Sequence, residues 1–169
     1  MEQITNFLDK YIYDLRTHYN INIYPDLVDY KCNECDIENF KLAYYNNLKY
    51  EQIRLDLLGI NAPYHRASLL GFNLESNIIW FIVDITYGQF FQDKQFEKYM
   101  FENYKDFTID LLQKGYTLFT EENIISYING FIFANPFLKP NCKNVYDKLN
   151  DLLSKNNIIE NKTLTKNSY

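Results

Sequence analysis

Ile4, Phe7, Leu8, Tyr11, Ile12 and Leu15 recur at the spacing of one helix face, which predicts an amphipathic helix over 3–17. The stretch Asn20 to Lys31 carries Pro25 and reads as a connecting loop. Asn33 and Asp36 each offer an N-cap to a second helix through Asn47, with Ile37, Phe40 and Tyr44 on its apolar face. The period then changes. Gln52-Ile-Arg-Leu-Asp-Leu57 alternates polar and apolar residues strictly, as a half-exposed strand does, and Gly59, Asn61 and Pro63 end it. Two apolar runs, His65–Phe72 and Asn77–Asp84, flank the polar stretch Asn73-Leu-Glu-Ser76 and predict a hairpin over 65–87 with a four-residue loop. A periodic stretch from Asp93 to Lys114 predicts one long helix, closed by Gly115 just past its end. Thr120-Glu-Glu-Asn caps another helix to Ala134. Asn135-Pro136 and Lys139-Pro140 then interrupt the chain before a last helix at 142–155, and the polar tail 156–169 is expected to fray. Helices, three sequential strands and further helices, with no internal repeat, predict a single α+β domain over 1–155.

The chain is 169 residues long, enough for one domain with a real core, and 47% of it is apolar, which argues for a folded globule. The sixteen tyrosines, with many Asn, Lys and Ile, read as a coding bias toward AT-rich codons, so no single tyrosine is taken as functional on count alone. The net charge of −5 is interspersed and forms no basic stripe, so nucleic acid is not an expected partner. No window reaches the 18 consecutive apolar residues of a membrane span, and the first residues show no basic region followed by an apolar run. The expectation is a cytoplasmic protein whose three cysteines are reduced thiols.

The hairpin carries the chemistry. If its turn centres between Leu74 and Glu75, His65 and Asp84 lie directly opposite, about 5 Å apart at Cβ, where a carboxylate can hold an imidazole. Upstream, Cys32 and Cys35 both fall at the predicted start of the second helix. A thiol attacks a carbonyl only as thiolate, and a helix N-terminus and a neighbouring imidazolium both lower its pKa. His65 would then act as general base and afterwards as general acid, with Asp84 fixing its tautomer. If Asn33 caps the helix, Cys32 lies just ahead of the free amides, and this is the preferred nucleophile. If Asp36 caps it, Cys35 takes that place.

The order of cysteine at a helix start, histidine opening a strand and aspartate closing the next resembles the papain-like and transglutaminase-like superfamily. Asp84-Ile-Thr-Tyr-Gly-Gln-Phe90 is similar to the D-x-T-x-x-Q-F ending that follows the histidine strand there. Lys31-Cys-Asn-Glu-Cys35 is similar to the Asn-Cys-x-x-Cys start of some bacterial papain-fold toxin domains, protein-glutaminase-like ones included. The resemblance spans residues 31–91 and implies a nucleophile helix on a short antiparallel sheet, with extra helices added from the C-terminal half. It implies a cysteine-dependent acyl transferase or hydrolase acting on a protein or peptide carboxamide or peptide carbonyl, with Cys32 as nucleophile, His65 as base and Asp84 as orienting acid. No cofactor or metal is required. Gln89 is a candidate contact to substrate. Arg66, where a small or aromatic residue is more usual, would narrow the cleft or bind an anion. Lys31 stands where the family has Asn or Gly, which leaves the oxyanion partner unassigned.

Plainer readings exist for each residue. His65 is a satisfied structural histidine in one, and Asp84 caps the following turn through Thr86 or Tyr87 in another. Gln89 is equally a surface residue of that turn. Cys32 and Cys35 with His65 and Cys142 would make a zinc site, although structural zinc usually shows a second close pair, and a redox CxxC wants a preceding strand. His18 sits where it complements the dipole of the first helix, and Glu121-Glu122 is a first-turn feature. Phe96, Tyr99, Met100, Tyr104, Phe107 and Leu111 fall at helical spacing and read as core. The functional alternatives are a papain-fold binding module without turnover and a zinc-stabilised interaction domain.

Overall fold

The computed structural model describes residues 1–22, 31–56, 64–134, 147, 150 and 151, with the backbone alone at 31–33, 55, 56 and 64. The domain is α+β. Helices α1 (Glu2–Tyr19) and α2 (Lys31–Asn46) precede strands β1 (Lys49–Asp56), β2 (Tyr64–Leu74) and β3 (Asn77–Val83). A 3-10 segment (Tyr87–Gln92), α3 (Lys94–Asn103), α4 (Lys105–Lys114), β4 (Tyr116–Leu118) and α5 (Glu121–Ala134) follow. The four strands form one antiparallel sheet in the order β1-β2-β3-β4. The expected last helix over 142–155 and the tail lie largely outside the described residues.

Alternation along the strands splits the core in two. Ile53, Ala67, Leu69, Trp80 and Ile82 face the 3-10 segment, α3, α4 and α5. Leu70, Phe72, Ile79, Phe81 and Val83 face the other way, with α1 residues Leu8, Ile12 and Leu15 and α2 residues Cys35 and Ala43. The sheet is therefore covered on both sides, which is why β3 reads as a continuous apolar run and not as an alternation.

Four sequence expectations are corrected. The hairpin loop is two residues, Glu75-Ser76, because β2 continues to Leu74 and β3 starts at Asn77. Glu75 takes a left-handed φ of 55°, a conformation that the turn needs and that glutamate does not advertise. Neither Asn33 nor Asp36 caps α2, since the helix already begins at Lys31. Ile37, Phe40 and Tyr44 are exposed, and the buried strip of α2 joins polar Asp36 and Asn39 to the small Cys35 and Ala43. There, Asp36 Oδ1 accepts from Tyr50 Oη at 2.6 Å and Ser68 Oγ at 2.8 Å, and its second oxygen accepts from Gln52 Nε2. Asn39 donates to Ser68 Oγ at 2.9 Å and accepts from Tyr11 Oη at 2.6 Å. A helix whose buried face is half polar is not oriented by hydrophobicity alone.

The predicted helix over 93–114 is two. Tyr104, at φ −140° and ψ 51°, separates α3 from α4, and Thr108 Oγ1 donates back to the Tyr104 carbonyl at 2.7 Å. No glycine or proline marks the break. Asp93 caps α3, with Oδ1 accepting from Gln95 N and Phe96 N, and Gly115 closes α4 at φ 78°. Three-residue β4 and the 3-10 segment have no sequence signature of their own.

Arg16 ties α1 to this second half. Its Nη1 and Nη2 donate to the carbonyls of Gln113 and Leu112 at 2.8 and 3.0 Å, satisfying the last turn of α4 with a cation. Arg16→Met, which keeps the aliphatic stem, is expected to cost about 1–3 kcal/mol. A shift of the urea midpoint at unchanged slope measures it, and no shift would remove Arg16 from the account.

Candidate functional site

The site lies at one end of the sheet, where β2 begins and β3 ends. Ser68 pairs with Val83 and Leu74 with Asn77, so the β2–β3 register is displaced by two residues from the expected one, and His65 is not directly opposite Asp84. A displacement of two keeps every side chain on its face, whereas a displacement of one would have reversed them. His65 and Asp84 thus become diagonal neighbours on the α3–α5 face, and their side chains close the gap: Nε2 of His65 lies 2.6 Å from Oδ2 of Asp84. Ionised carboxylates only accept, so Nε2 carries the proton and Nδ1 is the basic nitrogen of the neutral ring.

Asp84 follows the last residue of β3, and its N–H donates to the Gly115 carbonyl at 2.9 Å, which fixes the backbone at the strand end. The capping alternative does not hold for its side chain: Oδ2 accepts from His65 and from Tyr127 Oη at 2.8 Å, and Oδ1 meets no donor among the described residues. The chain then turns into the 3-10 segment through the Gln89 N–H, donated to Thr86 O at 3.1 Å. This turn brings Gln89 inward. Its Nε2 sits 3.3 Å from His65 Nδ1 and 3.3 Å from Thr86 Oγ1, and the residue is buried. Phe90 meets the imidazole edge-on at a centroid distance of 4.7 Å, and Phe131 of α5 lies at 5.8 Å. The side chains of His65 and Asp84 are each 1% exposed. Burial first, and then the Asp84 charge, push the Tyr87 hydroxyl well above the ordinary tyrosine range.

The other sequence candidates sit elsewhere. Cys35 is buried in the α1/α2 core, on the face of the sheet away from His65. Arg66 alternates with His65 and so points to the α2 face, directly across from Arg54 of β1. Cys32 is in the first turn of α2, and its side chain lies outside the described residues, as does Cys142. The N-terminal end of α2 lies toward the His65 end of the sheet, but on the opposite face from the imidazole. Phe40 packs on Tyr50, whereas Asp36, one turn earlier, reaches Gln52, a step along β1 toward Leu55 and its partner His65. His18 is in the last turn of α1 with its ring against Tyr19, and among the described residues no three His, Cys, Asp or Glu side chains gather as a metal site would require.

Tyr127 is the residue that sequence reasoning passes over. It falls within the aromatic spacing of α5 and looks like any other core tyrosine. The available signal is that a phenol in a helix this apolar needs an acceptor. No helix among the described residues is long and apolar enough to cross a membrane. No protein-family model, curated protein or solved structure matches the chain.

Proposed function

We propose that the protein is a cysteine-dependent acyl transferase or hydrolase with a papain/transglutaminase-like core, acting on a carboxamide or peptide carbonyl of a protein or peptide. One observation carries the reading: a buried imidazole whose Nε2–H is committed to a carboxylate, leaving Nδ1 as an oriented base. Cys32, in the first turn of α2, is the nucleophile in this reading and meets the imidazole around the end of the sheet, since α2 packs on the face away from His65; the helix N-terminus favours its thiolate.

In the reaction, Nδ1 takes the thiol proton and Sγ bonds to the carbonyl carbon. The C–N bond breaks as the imidazolium protonates the departing amine, and a thioester remains. Water or an acceptor amine, deprotonated by the neutral ring, then attacks the thioester and releases the thiol. Gln89 holds Nδ1 through an amide contact at 3.3 Å, long for a hydrogen bond, and so is readily exchanged for substrate or thiol.

Iodoacetamide alkylation followed over pH tests this. Cys32 should react about tenfold or more faster than Cys142 at neutral pH, with an apparent pKa below the ordinary thiol value, and His65→Ala should abolish the difference. Equal rates for all three cysteines would overturn the enzymatic reading. They would favour instead a binding module without turnover, which the 1% exposure of the His65 side chain supports.

A further inference from the structure

We propose that Tyr127 is a positioning residue that sets the basicity of His65 through Asp84. The inference rests on the reading of His65 as the base. Tyr127 lies on α5, outside residues 31–91, and joins the C-terminal half of the chain to the histidine.

The argument begins with one oxygen. Asp84 Oδ2 accepts from both His65 Nε2, at 2.6 Å, and Tyr127 Oη, at 2.8 Å. The carboxylate and the phenol are both buried, so solvent does not dilute the exchange between the two donors. A hydroxyl directed at Oδ2 brings the positive end of its dipole to the oxygen that faces the ring. It therefore reduces the negative potential that would stabilise an imidazolium. Without that hydroxyl the charge of Asp84 leans on the ring alone, and the ring holds its proton more tightly.

Among the described residues, the titratable groups set against this carboxylate are His65 from β2, Tyr127 from α5 and Tyr87 from the 3-10 segment. Tyr87 stacks on Tyr127 at a centroid distance of 5.6 Å, and Phe107 and Phe131 meet the Tyr127 ring at 6.3 and 5.2 Å. The phenol is thereby held by rings on three sides, and its hydroxyl direction is fixed by packing and not by a flexible tether. A tyrosine placed only to fill space would have no need of this alignment.

The chain has two histidines, so imidazole titration by NMR reads His65 directly with His18 as the internal control. In Tyr127→Phe, His65 should titrate about one unit higher than in the native protein while His18 stays in place. Site-specific 3-fluorotyrosine at 127 keeps the ring and its packing but donates more strongly, and it should move His65 the other way by a few tenths of a unit. This second arm decides the matter if the phenylalanine variant does not fold. A His65 titration unchanged with 3-fluorotyrosine in place overturns the inference. So does a shift in the same direction for both changes, since a purely structural role has no reason to follow donor strength.

The alkylation profile of Cys32, measured on the same samples, separates this inference from the one beneath it. If His65 moves and Cys32 reactivity moves with it, Tyr127 tunes a working base. If His65 moves and Cys32 does not follow, Tyr127 still sets the histidine, and it is the acyl-transfer reading that falls.

Discussion

Asp84→Ala is expected to cost about 3–5 kcal/mol of unfolding free energy, because it leaves a buried pair without its acceptor. The carboxylate takes the Nε2–H of His65 and the hydroxyl of Tyr127 on one oxygen, and neither donor can turn to water from where it sits. Removal takes this shared acceptor from two buried donors and opens a cavity under the end of β3, and these costs run in the same direction. Asp84→Asn should cost less, about 1–3 kcal/mol, since the amide oxygen can still accept from one donor while its NH2 group faces the other. Urea unfolding at unchanged slope measures both. In a double-mutant cycle, His65→Ala with Asp84→Ala should fall short of the sum of the single changes by about 1 kcal/mol or more, as for any pair in direct contact. An Asp84→Ala variant within about 0.5 kcal/mol of the native protein would show that the pair does not hold the sheet end together, whatever its chemistry.

The His65–Asp84 pair was legible in the sequence for a reason that survives the error in its register. The hairpin slipped by two residues because Asn73 and Leu74 extend β2 and the turn falls on Glu75-Ser76, with Glu75 left-handed in place of the glycine or asparagine that normally announces such a turn. Parity is insensitive to a shift of two, so the facing pair persisted as a diagonal one. Orientation of α2 was not legible. Its exposed stripe of Ile37, Phe40 and Tyr44 is more apolar than the strip it buries, and only the partners of Asp36 and Asn39 on β1, β2 and α1 explain why. Those partners are distant in sequence, and no local pattern encodes them. The helix break at Tyr104 was hidden likewise, since its stabilising hydroxyl comes from Thr108, an unremarked residue of the same apolar periodicity. Tyr127 shows the limit most clearly. Spacing identifies it as core, and the hydrogen bond that makes it more than core spans 43 residues.

The tyrosines set the alkaline limit of the fold. Burial first, and then the charges of Cys35 and Glu38, raise the hydroxyl of Tyr11. Burial, followed by the charge of Asp84, raises that of Tyr87. Tyr50 and Tyr116 are raised by burial and by donation to Asp36 and Asp9. In the unfolded chain all four regain the ordinary value of about 10. Below that pH both states hold the protons, and the contribution to stability is complete. Above it the unfolded state releases protons that the native state retains, so it binds fewer and stability falls as pH rises toward the native values. Tyr11 and Tyr87 should each contribute a slope of about 1.4 kcal/mol per pH unit, about 3 kcal/mol for the two together. Tyr50 is only half-buried and adds less. With a total stability of about 5–15 kcal/mol, the protein should unfold cooperatively within a few pH units above about 10. Tyrosinate absorbance near 295 nm and the far-ultraviolet helix signal should then change together. Tyr11→Phe should flatten the alkaline slope while costing stability at neutral pH, where Asn39 loses its donor. Were the absorbance instead to titrate smoothly around pH 10 ahead of any loss of helix, the hydroxyls that join α1 and α2 to the sheet would be open to solvent, and the polar seam they form would not be buried.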